Sequence, residues 1–251
     1  MKNQTIKLSD FIIEYSLKGE SNTSIVLING FRMPLDSWNM LYPDIEKLGK
    51  VFAYNRLGVG NSSKAMSDQT GSTVVETLRN LLKAVDLAPP YVLVGHSLGG
   101  IFTNLYARMV PEEVSGIVLV DAAHPDEPKK QNELQQHNFV SAINNWLKSI
   151  ECIFDKYKYS EYEKIDETIN QLNNARGFPQ VPLVVVSGTK KMPFVPEKNF
   201  EVHLQFQKEL AALSSNSKHY IAEGSGHFPQ ITEPEIVLAA IKDVVEFAKI
   251  A

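Results

Sequence analysis

Residues Tyr91-Val92-Leu93-Val94-Gly95-His96-Ser97-Leu98-Gly99-Gly100 run from an apolar stretch into Gly-x-Ser-x-Gly and on into a helical pattern. A serine at such a strand-to-helix corner is held in a tight, strained turn that projects its hydroxyl outward, and the flanking glycines prevent collisions with the neighbouring strand and helix. Ser97 is therefore a candidate nucleophile; the plain alternative is a glycine-rich turn with an idle serine. A hydroxyl is a weak nucleophile at neutral pH and needs a base, usually histidine, within hydrogen-bond reach. Of six histidines, His96 lies inside the turn with its ring expected to point away, His203 falls in a helical pattern, His219 in a strand and His137 in a stretch without a motif. His227 differs: Gly224-Ser225-Gly226-His227-Phe228-Pro229 follows the last strand directly, at the carboxyl end where parallel sheets bind ligands.

A tetrahedral intermediate needs donors aimed at its oxyanion. The apolar run Ile25-Val26-Leu27-Ile28 ends in Asn29-Gly30-Phe31, so the backbone N–H of Phe31 is one candidate. The N–H of Leu98 is the other, because it opens a helix whose positive dipole end favours negative charge. Asn29-Gly30 also encodes an ordinary turn without any such role.

The elements that must position these residues follow from periodicity. Short apolar runs predict strands near 6–8, 11–17, 24–29, 51–55, 91–95, 116–121, 183–187 and 219–222, the first two antiparallel at one edge. Three- and four-residue spacing predicts helices over 38–48, 72–85, 98–109, 200–213 and 234–249. This alternation predicts one α/β domain over residues 1–251 with a mostly parallel eight-stranded sheet flanked by helices. Residues 122–180 carry no good strand signal and are too long for an ordinary connection, which predicts a helical cap inserted after the sixth strand. Within it Phe139, Val140, Ile143, Trp146, Leu147, Ile150 and Phe154 mark one helix, and Ile165, Ile169 and Leu172 a shorter one. Trp146 and His124 are candidate substrate contacts on this roof, although packing, or for His124 a surface position, is the plainer reading.

A formal charge of −4 and a pI near 5.9 leave no basic footprint for nucleic acid or an anionic membrane. The single cysteine, Cys152, sits in an apolar periodic segment, and no apolar run reaches the roughly 20 residues of a membrane span. No signal-like segment precedes the first strand, so the expected location is the cytoplasm, the expected partner a small-molecule substrate, and the oligomeric state is open. No metal-ligand or phosphate-loop spacing occurs, so no cofactor is expected.

From first strand to last helix the chain resembles the α/β-hydrolase superfamily, in its serine esterase and lipase-like branch. The resemblance rests on Asn29-Gly30-Phe31 with Trp38 after it, Tyr54-Asn55-Arg56-Leu57-Gly58-Val59-Gly60-Asn61-Ser62, Gly95-His96-Ser97-Leu98-Gly99-Gly100 and Ser225-Gly226-His227, in that order. Asn29 stands where the family often has histidine, and Asn55 where it often has aspartate. More seriously, the segment after the seventh strand, Ser187-Gly188-Thr189-Lys190-Lys191-Met192, lacks the carboxylate many members carry there. Asp121, at the end of the sixth strand, resembles the position some members use instead, with Asp126 and Glu223 as runners-up. The resemblance implies hydrolysis of an ester, thioester or lactone bond through an acyl-enzyme on Ser97, with His227 as base, Asp121 as its orienting acid, and Phe31 and Leu98 N–H as oxyanion hole. Acyl transfer, carbon–carbon bond hydrolysis, or a weakly active or inactive ligand-binding protein on the same scaffold remain alternatives.

Overall fold

A computed structural model of the chain describes residues 1–134, 155–193 and 195–248. Eight strands form one sheet: β1 (Gln4–Leu8), β2 (Phe11–Lys18), β3 (Ser24–Ile28), β4 (Lys50–Tyr54), β5 (Tyr91–His96), β6 (Val114–Val120), β7 (Leu183–Gly188) and β8 (Ser217–Ala222). Their order is β1-β2-β4-β3-β5-β6-β7-β8. The β1/β2 and β2/β4 pairs are antiparallel and every other pair is parallel. The eight expected strands are therefore present, with ends shifted by a residue or two, as is the antiparallel edge.

The parallel strands read as unbroken apolar runs because both sheet faces are covered. In β5, Tyr91 and Leu93 enter one core with side chains of α2 (Gly71–Ala84) and α3 (Leu98–Met109), while Val92 and Val94 enter the other. That second core is closed by Trp38, Tyr42 and Ile45 and by Val237, Ile241 and Val244 of the terminal helix. The period of two along the strand thus divides one apolar run between two cores. The helix expected over 38–48 is instead a 3-10 turn at Leu35–Trp38 followed by the single turn α1 (Tyr42–Ile45). Pro43 explains the break: without an N–H it cannot continue a helix from Trp38, but it is tolerated in the first turn of a new one.

Between β6 and β7 lie α4 (Glu127–Leu134), α5 (Ser160–Glu163) and α6 (Ile165–Asn174), with no strand among the described residues of this segment. The first expected stripe, 139–154, with Trp146, and also His137 and Cys152, lie outside the described residues. After β7 comes α7 (Glu197–Ala211), and after β8 come α8 (Pro229–Thr232) and α9 (Pro234–Ala248). Among the described residues no helix is long and apolar enough to cross a membrane.

Parallel pairing puts the carboxyl ends of β3, β5, β6, β7 and β8 on one edge. Ile28 is level with Gly95, His96 with Val120, Val120 with Val186, and Gly188 with Ala222. Gly30, Ser97, Asp121 and His227 each follow one of these ends within a few residues.

Candidate active site

Ser97 stands between β5 and α3 with φ 52° and ψ −125°, a backbone conformation that a non-glycine residue adopts only when its surroundings impose it. The packing imposes it here. A Cβ at Gly95 would strike Thr103 and the Gly99 carbonyl, and one at Gly99 would strike the carbonyls of Ile28 and Asn29, so strand and helix meet too closely for side chains at either position. The peptide of Ser97 is held on both sides: its N–H donates to Val120 O at 3.2 Å, and its carbonyl accepts from Ala123 N at 3.0 Å.

The Ser97 hydroxyl donates to His227 Nε2 at 3.0 Å. The other ring nitrogen, Nδ1–H, donates to Asp121 Oδ2 at 2.7 Å. A carboxylate only accepts, so this contact places the proton on Nδ1 and leaves the Nε2 lone pair facing the serine. Asp121 is buried, its backbone is left-handed at φ 41°, and its N–H donates to Val186 O at 2.7 Å. Its Oδ1 accepts from Gly188 N at 3.0 Å and from His203 Nε2 at 3.2 Å. Burial alone would raise the Asp121 pKa, but the hydrogen bonds from His203 and His227 hold it well below the usual carboxylate range. Asp126 and Glu223 are exposed and take no part in this chain.

The Gly30–Phe31 turn abuts the serine: a Cβ at Gly30 would lie 3.0 Å from Ser97 Cβ. Leu98 is the first residue of α3, so its N–H belongs to the helix end that favours negative charge. Arg56 fastens the turn from behind, its Nη1 donating to Asn29 O at 2.7 Å and its Nη2 to Gly30 O at 2.8 Å. The same buried guanidinium pairs with both oxygens of Glu161 on α5, at 2.6 and 2.9 Å. Phe31 packs against Tyr159 and Tyr162, at 6.2 and 6.0 Å between ring centroids. The segment around α5 therefore sits directly on the turn. Asn55 uses both ends of its amide, accepting from Leu35 N at 2.7 Å and donating to Glu14 Oε2 at 2.6 Å; an aspartate there would face Glu14 as a like charge.

Three further histidines have contacts that the sequence did not specify. His96 does not simply point away: its ring lies 5.0 Å from that of His227 and its Nε2–H donates to the His227 carbonyl at 2.8 Å. Burial, with His227 beside it, pushes its pKa down to about 4, so this ring is neutral and acts as a support for the His227 loop. His203 is bonded to Asp121 and also, through Nδ1–H, to Glu127 Oε1 at 2.8 Å. His124 stacks flat on Phe206 at 4.5 Å, and its Nδ1 accepts from Asp126 N at 3.1 Å; it does not line the cavity, because its ring is committed to this packing.

That cavity, about 700 Å³, opens beside His227. Its walls combine Asp121, His203 and Glu127 with the apolar Ile165, Met192 and Phe200. Ser97 is not itself a wall residue, so the cavity meets the hydrogen-bonded chain at His227 and Asp121. Sequence reading missed Glu161 and His203. Neither lies in a motif, and each meets its partner only through the tertiary fold.

A family model described as alpha/beta hydrolase fold matches residues 23–149. YqjL of Bacillus subtilis is 29% identical over 228 residues, which cover 90% of this chain and 85% of that relative. The dihydrolipoyllysine-residue acetyltransferase component of the acetoin cleaving system of Pseudomonas putida is 30% identical over 172 residues, covering 63% of this chain and 46% of the relative's length. The solved structure of the enol-lactonase from Burkholderia xenovorans LB400 aligns with a TM-score of 0.66 over 97% of this chain and 100% of its own, at 17% identity, a likeness of fold.

Proposed function

The chain belongs to the alpha/beta hydrolase fold family, and from that premise we propose that it is a serine hydrolase cleaving an ester, thioester or lactone bond of a small, partly apolar substrate. The observation that carries this reading is the unbroken chain from Ser97 Oγ through His227 to Asp121, starting at a strained serine. In the proposed reaction Ser97 Oγ attacks the acyl carbon as its proton passes to His227 Nε2. Asp121 keeps the ring in the Nδ1–H tautomer and offsets its developing charge. The N–H groups of Phe31 and Leu98 receive the oxyanion. Return of the proton to the leaving group expels it, and water, deprotonated by the same ring, then releases the acid and restores Ser97. No metal or organic cofactor enters these steps. The described part of the expected cap that lies on the Phe31 turn, Tyr159 to Ile165, borders this site in the proposal, and the apolar wall of Ile165, Met192 and Phe200 supports an apolar group on the substrate.

A second reading is acyl transfer to an acceptor other than water, which the match to an acetyltransferase component favours. The test is fluorophosphonate labelling of the intact chain, beside turnover of p-nitrophenyl esters of rising chain length, thioesters and lactones, with and without alcohol or thiol acceptors. Ser97→Ala is expected to abolish labelling and reduce turnover to at most the ~10³–10⁴-fold over water that a site without its nucleophile retains. Undiminished labelling or wild-type turnover in that variant would overturn the assignment. Failure of the wild-type chain to label or turn over would favour a ligand-binding role.

A further inference from the structure

His203 is bound in a way that the acyl-transfer chemistry does not require. It lies on α7, yet both of its ring nitrogens meet carboxylates: Nε2 lies 3.2 Å from Asp121 Oδ1, and Nδ1 2.8 Å from Glu127 Oε1. A neutral imidazole has one N–H and one lone pair, so one of these contacts would set a lone pair against a carboxylate oxygen. With both carboxylates ionised, only the doubly protonated ring satisfies both. The carboxylates come from different elements, Asp121 from the end of β6 and Glu127 from the first turn of α4, so the ring ties α4 and α7 to the proposed acid. Its side chain is 15% exposed, and those of Asp121 and Glu127 are 4% and 9% exposed, so little water screens the three charges.

We infer that His203 is a positioning residue: as an imidazolium clamped between Glu127 and Asp121, it holds the proposed acid against His227 and limits how strongly that acid raises the basicity of His227. The inference rests on the triad reading. Asp121 accepts from His227 on Oδ2 and from Gly188 and His203 on Oδ1, so its negative charge is shared between two rings. An unshared carboxylate stabilises the His227 imidazolium more and keeps that ring protonated, and useless as a base, to higher pH. The geometry is accompanied by the matching charge state, since burial works against the His203 charge but the bonds to Asp121 and Glu127 carry its pKa up to about 10.

Among the described residues, the other charged or titratable groups that line the cavity with this ring are Lys190 after β7, His227 after β8, and Glu163 and Asp166. On α7 itself the residues one turn to either side, Asn199 and Gln207, are neutral. Among the described residues, Asp121 and Glu127 are the two groups in hydrogen-bond contact with the ring.

The test is nitrogen-15 NMR of the full chain labelled at histidine, in wild type, His203→Gln and Glu127→Gln, with fluorophosphonate labelling of Ser97 as a parallel readout. In wild type, His203 should show two protonated nitrogens at pH 7–8. In His203→Gln the titration midpoint of His227 should rise by about one pH unit, the scale of losing one nearby positive charge at a partly buried site. Where activity is measurable, the acid limb of kcat/KM should rise with it while KM stays within a factor of about two. Glu127→Gln retains the ring and serves if His203→Gln fails to fold: His203 should then lose its second proton below pH 9. A singly protonated His203 at pH 7 in wild type, or an unmoved His227 midpoint in a folded His203→Gln, overturns the inference. Absence of Ser97 labelling in wild type would strike the hydrolase reading instead, leaving the NMR result to judge the clamp.

Discussion

Replacing Asp121 by asparagine puts the proposed chemistry under strain that can be worked out from the contacts. Asp121 receives three donors, Gly188 N and His203 Nε2 on one oxygen and His227 Nδ1 on the other. An asparagine carries one accepting oxygen and one donating NH2, so it can settle in two ways. With its oxygen toward Gly188 and His203 it keeps two bonds and presents the NH2 to His227. Reversed, it keeps the His227 bond and sets its NH2 against two buried donors, each mismatch costing about 1–3 kcal/mol. The first arrangement is favoured. His227 must then turn its lone pair to the amide and carry its proton on Nε2, where it faces Ser97 and cannot accept.

The expected loss in kcat is therefore of the order of ~10⁴, about 5.5 kcal/mol of transition-state stabilisation, with the fold retained. The assay is steady-state hydrolysis of the best p-nitrophenyl ester, paired with nitrogen-15 NMR to read the His227 tautomer. Asp126→Asn and Glu223→Gln, both at exposed carboxylates, should stay within about twofold of wild type. If Asp121→Asn keeps more than about a tenth of the wild-type kcat, or its His227 remains an Nδ1–H tautomer, the reasoning fails.

Two further outcomes concern stability. Glu161→Ala strands the buried Arg56 guanidinium, and breaking a buried pair in this way costs about 3–5 kcal/mol, which for a chain of this size is a fall in Tm of roughly 6–20 °C by calorimetry; a change under about 2 °C would show that Arg56 finds other partners. His203 has a folded pKa of about 10 against an ordinary value of 6.5, so its contribution is fully present below pH 6.5 and is lost as pH rises toward 10. By pH 8.5 that loss is about 2–3 kcal/mol, and the Tm of wild type should decline from pH 6.5 to 8.5 by several degrees more than that of His203→Gln; parallel curves would contradict it.

What was legible in the sequence was local. The turn at Ser97 is encoded by its own neighbours, because Gly95 and Gly99 are demanded by contacts within the same strand-turn-helix unit and the adjacent β3. Strands buried on both faces announce themselves as apolar runs, and α3 spans the very residues its periodicity indicates. The proximity of His227 and Asp121 was readable because each follows the carboxyl end of a parallel strand, while the preference for Asp121 over Asp126 and Glu223 rested on the family resemblance. His203 was not readable, since its contact with Asp121 spans 82 positions and a histidine on a mixed helix face looks like any solvated one. Glu161 meets Arg56 across 105 positions, and nothing in Ser160-Glu161-Tyr162-Glu163 separates it from Glu163. The helix α4 was hidden for another reason: Glu127–Leu134 is too polar to show an apolar stripe.

Asp121, the proposed acid after β6, is anchored at the end of β7. There the chain passes so close to the loop carrying His227 that a Cβ at Gly188 would strike the Gly226 carbonyl, and Lys190 N donates to Ser225 O at 2.8 Å. This backbone contact steadies the His227 loop and leaves no room for a side chain at Gly188. The proposed acid, Asp121, comes from the neighbouring strand, and the β7 end supplies the Gly188 N–H that anchors it. Approaching from β6, Asp121 keeps a second lone-pair direction on Oδ1 open toward α7, where His203 enters. The glycine at the end of β7 and the two histidines thus meet at Asp121, Gly188 and His203 on one oxygen and His227 on the other. Restoring a side chain at Gly188 would disturb the acid and the loop bearing His227 together.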